Sequence, residues 1–66
     1  MKIEYDQHAD AMYIRLRAGV VADSDEVRPG VVFDLDTDGR VLGIEMLDVS
    51  QRTDNPRELA MELVGD

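Results

Sequence analysis

Residues 31–46 carry the clearest pattern of apolar and polar positions in the chain. Val31-Val32-Phe33-Asp34-Leu35-Asp36 runs into Thr37-Asp38-Gly39-Arg40, and Val41-Leu42-Gly43-Ile44-Glu45-Met46 follows. Asp-Gly between alternating segments predicts a β-hairpin, because a type I′ turn needs positive φ at both central positions. A turn at Asp38-Gly39 sets Leu35 opposite Leu42, Phe33 opposite Ile44 and Val31 opposite Met46. Every pair on that face is apolar. The other face pairs Asp36 with Val41, Asp34 with Gly43 and Val32 with Glu45. A slip of one residue would turn one strand's apolar set to water, so the register is well specified.

The first seventeen residues repeat the pattern. Ile3 and Tyr5 alternate with Lys2 and Glu4, and Met12, Ile14 and Leu16 alternate with Tyr13, Arg15 and Arg17. This period of two predicts half-buried strands at 1–5 and 12–17, around the polar loop 6–11. Antiparallel pairing sets Tyr5 opposite Met12, Ile3 opposite Ile14 and Met1 opposite Leu16. The other face pairs Glu4 with Tyr13 and Lys2 with Arg15, with Glu4 diagonal to Arg15 to offset the like charges.

The rest of the chain is less regular. Val20, Val21 and Val27 suggest a short fifth strand over 20–27, interrupted by Asp23-Ser24-Asp25, and Pro29-Gly30 breaks the chain before the second hairpin. After Met46 the alternation fails, since Leu47 and Val49 fall on the opposite face, and a bulge or strand end is expected. Residues 55–64 read as a helix. Asn55 suits the N-cap, Pro56 the first helical position and Glu58 the third. Leu59, Ala60 and Leu63 form an apolar stripe, and Gly65 can end the helix. Ten residues do not hold a helix alone, so this one must dock.

The expected fold class is therefore α+β, in one domain over residues 1–66. An antiparallel sheet of two hairpins, four or five strands within 1–49, carries one C-terminal helix over 55–64. Its apolar face comprises Met1, Ile3, Tyr5, Met12, Ile14, Leu16, Val31, Phe33, Leu35, Leu42, Ile44 and Met46. One short helix is small cover for twelve side chains. A chain of 66 residues buries only about 60% of its unfolded surface. A homodimer that completes the core is the expectation.

Composition narrows the function classes. The chain has no cysteine, which excludes disulfides and thiolate metal sites and fits a reducing cytoplasm. It holds no apolar run long enough to span a membrane, and Met1-Lys2-Ile3-Glu4 lacks a leader pattern. Fifteen acids against seven bases give a net charge of −8, which opposes nucleic acid and anionic membranes. Such a surface is either a solvated face or the complement of a basic partner.

The candidate chemistry is sparse. Asp34-x-Asp36-x-Asp38-Gly39, with Glu45 at the twelfth position, spells the calcium loop of an EF-hand. That motif needs helices on both sides, whereas both flanks here alternate as strands. The hairpin is the better reading, with Asp34, Asp36 and Glu45 on its polar face and Asp38 in its turn. Weak cation or small-ligand binding to that face is the alternative function. Paired carboxylates at Asp34 and Asp36 could do acid–base work only in a pocket, and Lys2 and Arg15 are expected to balance them on a solvated face. His8, the single histidine, lies in a polar loop with no ligand or nucleophile beside it. Tyr5 and Phe33 read as core. Tyr13 falls on the polar face beside Arg15, where it could anchor a partner. No catalytic residue, metal site or cofactor is expected.

One resemblance rests on particular stretches. Met1-Lys2-Ile3-Glu4-Tyr5-Asp6, Ala9-Asp10-Ala11-Met12-Tyr13-Ile14-Arg15-Leu16, Pro29-Gly30-Val31-Val32-Phe33-Asp34 and Gly39-Arg40-Val41-Leu42-Gly43-Ile44-Glu45-Met46-Leu47-Asp48 resemble the YuzE-like family, a bacterial domain of unknown function. The likeness covers about residues 1–50, and Gln7-His8 departs from the Pro-Glu of the family pattern. It implies a small β-rich domain in a bacterial or archaeal cytoplasm and brings no assigned activity. It also points to a small toxin-like protein as a partner, and the acidic balance of the chain makes a basic one the expectation. The expected function is thus a non-catalytic protein-interaction module.

Overall fold

A computed structural model describes residues 1–65. Five strands form: β1 (Lys2–Asp6), β2 (Ala11–Arg15), β3 (Asp23–Arg28), β4 (Val31–Leu35) and β5 (Val41–Met46), followed by a 3-10 turn at Val49–Gln51. They make one antiparallel sheet in the order β1-β2-β5-β4-β3. The first and second hairpins therefore meet at a central β2–β5 seam. There Met12 pairs with Met46, Tyr13 with Glu45, Ile14 with Ile44 and Arg15 with Gly43. The strand chain leaves β2 and crosses the end of the sheet through residues 16–22 before entering β3 at the far edge. Leu16 N–H donates to the Leu42 carbonyl at 2.8 Å, and Ala22 N–H to that of Leu35 at 2.8 Å, so both ends of the crossover extend existing ladders.

The first hairpin has the register that alternation predicts, with Ile3 opposite Ile14, Tyr5 opposite Met12, Glu4 opposite Tyr13 and Lys2 opposite Arg15. Met1 and Leu16 lie just outside it and are exposed. Glu4 takes up the excess positive charge, but through Lys2 at 3.5 Å. The second hairpin agrees from Val31–Met46 to Asp34–Gly43, then shifts. Leu35 pairs with Val41, so Leu42 is the extra residue of a β-bulge. The loop explains the shift. Gly39 N–H donates to the Asp36 carbonyl at 3.0 Å, and Asp36 N–H to that of Arg40 at 3.0 Å. Gly39 has φ 80° while Asp38 is not in the left-handed region. The connection is thus a three-residue loop closed by a left-handed glycine, not a two-residue type I′ turn. The Asp36 carboxylate accepts from the Asp38 N–H, the Arg40 N–H and Arg40 Nε at 2.8–2.9 Å, which rewards the longer loop.

The fifth strand is real but lies at 23–28, not 20–27. Val20 and Val21 stay outside it and are exposed. Val27 is its bulged residue, between Glu26 opposite Val32 and Arg28 opposite Val31. Such a bulge, with Asp23 and Asp25 on the apolar side of an outermost strand, discourages further strand addition.

The C-terminal helix expected over 55–64 does not form, and the fold is all-β rather than α+β. The capping signal acts only locally: Asn55 Oδ1 accepts from the Arg57 N–H at 3.0 Å, and the Asn55 carbonyl from the Glu58 N–H at 3.2 Å. One turn results, and residues 58–65 continue without regular structure. Nucleation of a helix is unfavourable, and short segments need a packed apolar face to propagate. Leu59 and Leu63 find none, being 70% and 90% exposed.

The sheet is a single layer, 18 Å across its thinnest extent. Among the described residues, Leu42 and Val49 are the buried apolar side chains. Leu42 is covered by the crossover, with Gly19 against its methyl groups. Val49 is tucked in after Asp48, whose φ of 54° reverses the chain beyond β5. Ile3, Tyr5, Met12, Ile14, Val31, Phe33, Ile44 and Met46 are only half-buried.

Candidate functional site

The two faces of the sheet differ in chemistry, and strand alternation assigns each side chain to one of them. On the polar face, one row runs Glu4, Tyr13, Glu45, Val32, Glu26 from β1 to β3, and the next runs Lys2, Arg15, Gly43, Asp34, Ser24. Three carboxylates thus punctuate the first row, and the positive charges gather at one end of the second.

A chain of side-chain hydrogen bonds ties these rows together. The Tyr13 ring on β2 leans across β5 so that its hydroxyl donates to Asp34 Oδ2 on β4 at 2.9 Å. Ser24 on β3 donates to the other oxygen, Asp34 Oδ1, at 2.8 Å. Gly43 makes this possible, because a Cβ there would collide with the tyrosine ring, 2.7 Å from its Cε1. The Arg15 guanidinium stands 5.4 Å from the Tyr13 ring centre, in cation–π range. Burial of the ring and the bond to Asp34 both hold the Tyr13 hydroxyl above its ordinary pKa.

These contacts decide where the sequence-predicted residues stand. Asp34 is engaged by Tyr13 and Ser24, not by Lys2 or Arg15. Asp36 is engaged by its own loop, and its carboxylate, 11% exposed, is held below the usual carboxylate range, chiefly by the Arg40 backbone N–H. Asp38 points to Arg40 at 3.3 Å. Glu45 sits one row away, opposite Tyr13. No group of three acidic or histidine side chains among the described residues converges as a metal site. The calcium-loop spelling is therefore not gathered into a loop of ligands. His8 lies exposed in the β1–β2 turn, its backbone N–H donating to Asp6 Oδ1 at 2.9 Å.

A second polar centre went unmarked in the sequence. Asp10 has φ 52°, in the left-handed region that Asp tolerates better than most residues. Its carboxylate accepts from the Tyr5 hydroxyl at 2.8 Å, the Ser50 hydroxyl at 2.6 Å and the Ser50 N–H at 3.0 Å. Its carbonyl accepts from Val49 N–H at 3.1 Å. The bonds from Ser50 and Tyr5 hold Asp10 below the ordinary carboxylate value, and the bond to Asp10 raises Tyr5. Nearby, Arg52 donates to the Leu47 and Pro29 carbonyls, both at 2.7 Å, and clips the β3–β4 turn to the segment after β5. Tyr5 is thus partly a hydrogen-bonding residue as well as part of the apolar face. Asp10 and Ser50 lie forty residues apart in sequence, so no local spacing could have announced their contact.

The apolar face is uncharged at its centre, where Ile3, Ile14, Ile44 and Phe33 form one continuous row across β1, β2, β5 and β4. At one corner the single turn at Pro56 borders an open groove of about 470 Å³ with Ile3, Tyr5 and Met12 on its floor. Arg57 reaches from that turn to Gln7. The opposite face has a comparable depression of about 500 Å³, with Glu4, Tyr13, Glu45 and Leu47 around it. Both are open to solvent. No helix among the described residues is long and apolar enough to cross a membrane.

A family model described as a protein of unknown function (DUF2283) matches residues 2–50, and the chain belongs to that family. The match takes in all five strands and stops at the 3-10 turn. No curated protein matches the chain, and no solved structure does.

Proposed function

We propose that this member of a family without assigned activity is a non-catalytic protein-interaction module, whose acidic sheet face receives a basic partner. The observation that carries the reading is the thin, two-faced sheet. It presents broad surfaces of opposite character and shallow grooves, a geometry suited to macromolecules rather than to enclosing a small substrate. The row Glu4, Glu45 and Glu26 gives the polar face its sign, and Tyr13 and Leu47 give it apolar contact area beside that charge. The likeness of residues 1–50 to the YuzE-like pattern supports a bacterial cytoplasmic setting and a small toxin-like protein as the kind of partner. The absence of cysteine is in keeping with that setting.

Co-expression with the products of adjacent genes, followed by pulldown, tests the reading. Retention of a basic protein is expected, weakened by salt and by Glu4→Lys with Glu45→Lys. If no partner is retained at micromolar concentration, the reading fails. The alternative, weak cation or small-ligand binding through Asp34, Asp36 and Glu45, has less support, because internal donors already engage both aspartates. Calorimetric heat with millimolar calcium would favour it.

A further inference from the structure

The apolar face poses a separate question, because the isolated chain is too open for its size. A compact protein of 7.4 kDa exposes about 4,200 Å². This chain exposes 5320 Å². Its radius of gyration is 13.1 Å, where a compact chain of this length has about 11 Å. The excess is about 1,100 Å² per chain; the exposed tail from Leu59 to Val64 supplies part of it and the uncovered sheet the rest, on the scale of the roughly 1,000 Å² that each half of an obligate interface buries.

We propose that the apolar face is covered by a second copy of this chain, the two sheets packed face to face about a two-fold axis near Ile14 and Ile44. Three observations select a second copy over a different protein. First, the cover is needed for folding itself. Among the described residues Leu42 and Val49 are the buried apolar side chains, and the half-buried row of Ile3, Ile14, Ile44 and Phe33 is the apolar reserve that the sheet itself holds. A partner always present in equal amount is another copy. Second, the row is continuous and uncharged from β1 to β4, ending against Asp25 on β3, and packed sheets interdigitate such rows about 10 Å apart. An isologous contact requires that self-complementarity. Third, most of the sheet's charge lies on the other face or at the edge. The net charge of −8 would oppose association through the polar face of two copies, whereas Asp23 and Asp25 sit at the β3 edge, where they can remain at the rim.

This inference does not rest on the basic-partner reading, and its test separates the two. Light scattering on the full chain at micromolar concentration is expected to give twice 7.4 kDa. Salt should strengthen the dimer by screening two acidic chains, the opposite of its effect on a basic partner. The thermal midpoint should rise with protein concentration. Ile44→Glu is expected to abolish the dimer but could simply unfold the chain, so a second variant pair locates the contact. The chain has no cysteine of its own. Ile14→Cys should crosslink between copies with a short bis-maleimide, and Val32→Cys, on the polar face, should not. A monomeric mass with a concentration-independent midpoint overturns the proposal. A dimer that crosslinks through Val32→Cys and not Ile14→Cys overturns it equally. Glu4→Lys and Glu45→Lys should leave the mass unchanged even where they abolish binding of a basic partner.

Discussion

Gly43 does more than pass a strand through the centre of the sheet. Its missing side chain is the space over which Tyr13 reaches Asp34, so one residue on β5 licenses a bond between its two neighbours. Gly43→Ala should cost about 1–3 kcal/mol by forcing the ring away, and Tyr13→Phe about 0.5–1.5 kcal/mol by removing one hydrogen bond. Combined, they should cost less than their sum, since the alanine clashes with a ring that has already lost its anchor. Urea denaturation of the four proteins checks this. Leu42→Ala belongs to another class. It removes one of the two buried apolar side chains among the described residues and should cost about 2–5 kcal/mol, enough to leave a domain this small largely unfolded by circular dichroism. None of these roles was legible from residue type alone. Tyr13 reads from sequence as an exposed anchor beside Arg15. The cation–π contact is there, but the hydroxyl is committed inward, because pairing β2 with β5 brings Asp34 within reach.

At the scale of elements, legibility followed locality. Alternation fixed the whole register of the first hairpin and four of the five pairs of the second. The bulge escaped it because Val41 and Leu42 are both apolar, so the pattern reads equally well with either opposite Leu35. The loop type escaped because Asp36 caps its own turn with a side chain. The strand order escaped too, since nothing in two separate hairpins says that β2 will meet β5. The failed helix teaches a complementary lesson. Asn55 binds the following turn but caps no helix, because capping satisfies only a helix that other contacts sustain. Hydrogen exchange should therefore divide the chain sharply. Amides of residues 59–65 should exchange at nearly the unprotected rate, while β2, β5 and β4, each paired on both sides, should be the slowest. Protection across 59–65 comparable to the strands would contradict the structure.

For the molecule as a whole, four shifted groups frame a pH window. Asp10 and Asp36 lie below their ordinary value of 3.8, so their contribution to stability is present above it and is lost as pH falls through the folded values. Tyr5 and Tyr13 lie above 10.0, so their contribution is present below it and is lost as pH rises through theirs. Stability should be flat between these limits and fall at either end. Asp10→Asn should shallow the acid limb and Tyr5→Phe the alkaline one, as read from denaturation midpoints across pH. An acid limb unchanged in the double variant Asp10→Asn, Asp36→Asn would mean that other carboxylates govern it. The surface excess is a whole-molecule property of the same kind. Chain length and the small cover that one short helix gives twelve apolar side chains led to the expectation of a dimer, and the folded sheet, with no helix on it, leaves that face shorter of cover still.

The strand order also sets the sequence of events by which the chain folds. Three of its four strand pairings join neighbours along the chain and can close quickly as separate hairpins. The fourth, β2 with β5, joins residues as distant as Met12 and Met46, and the entropy of closing that long loop precedes any reward from its contacts. The docking of the hairpins along this seam is thus the expected barrier to folding. Ile44→Val should slow refolding in stopped-flow measurements, whereas Ile3→Val, out on β1, should chiefly speed unfolding.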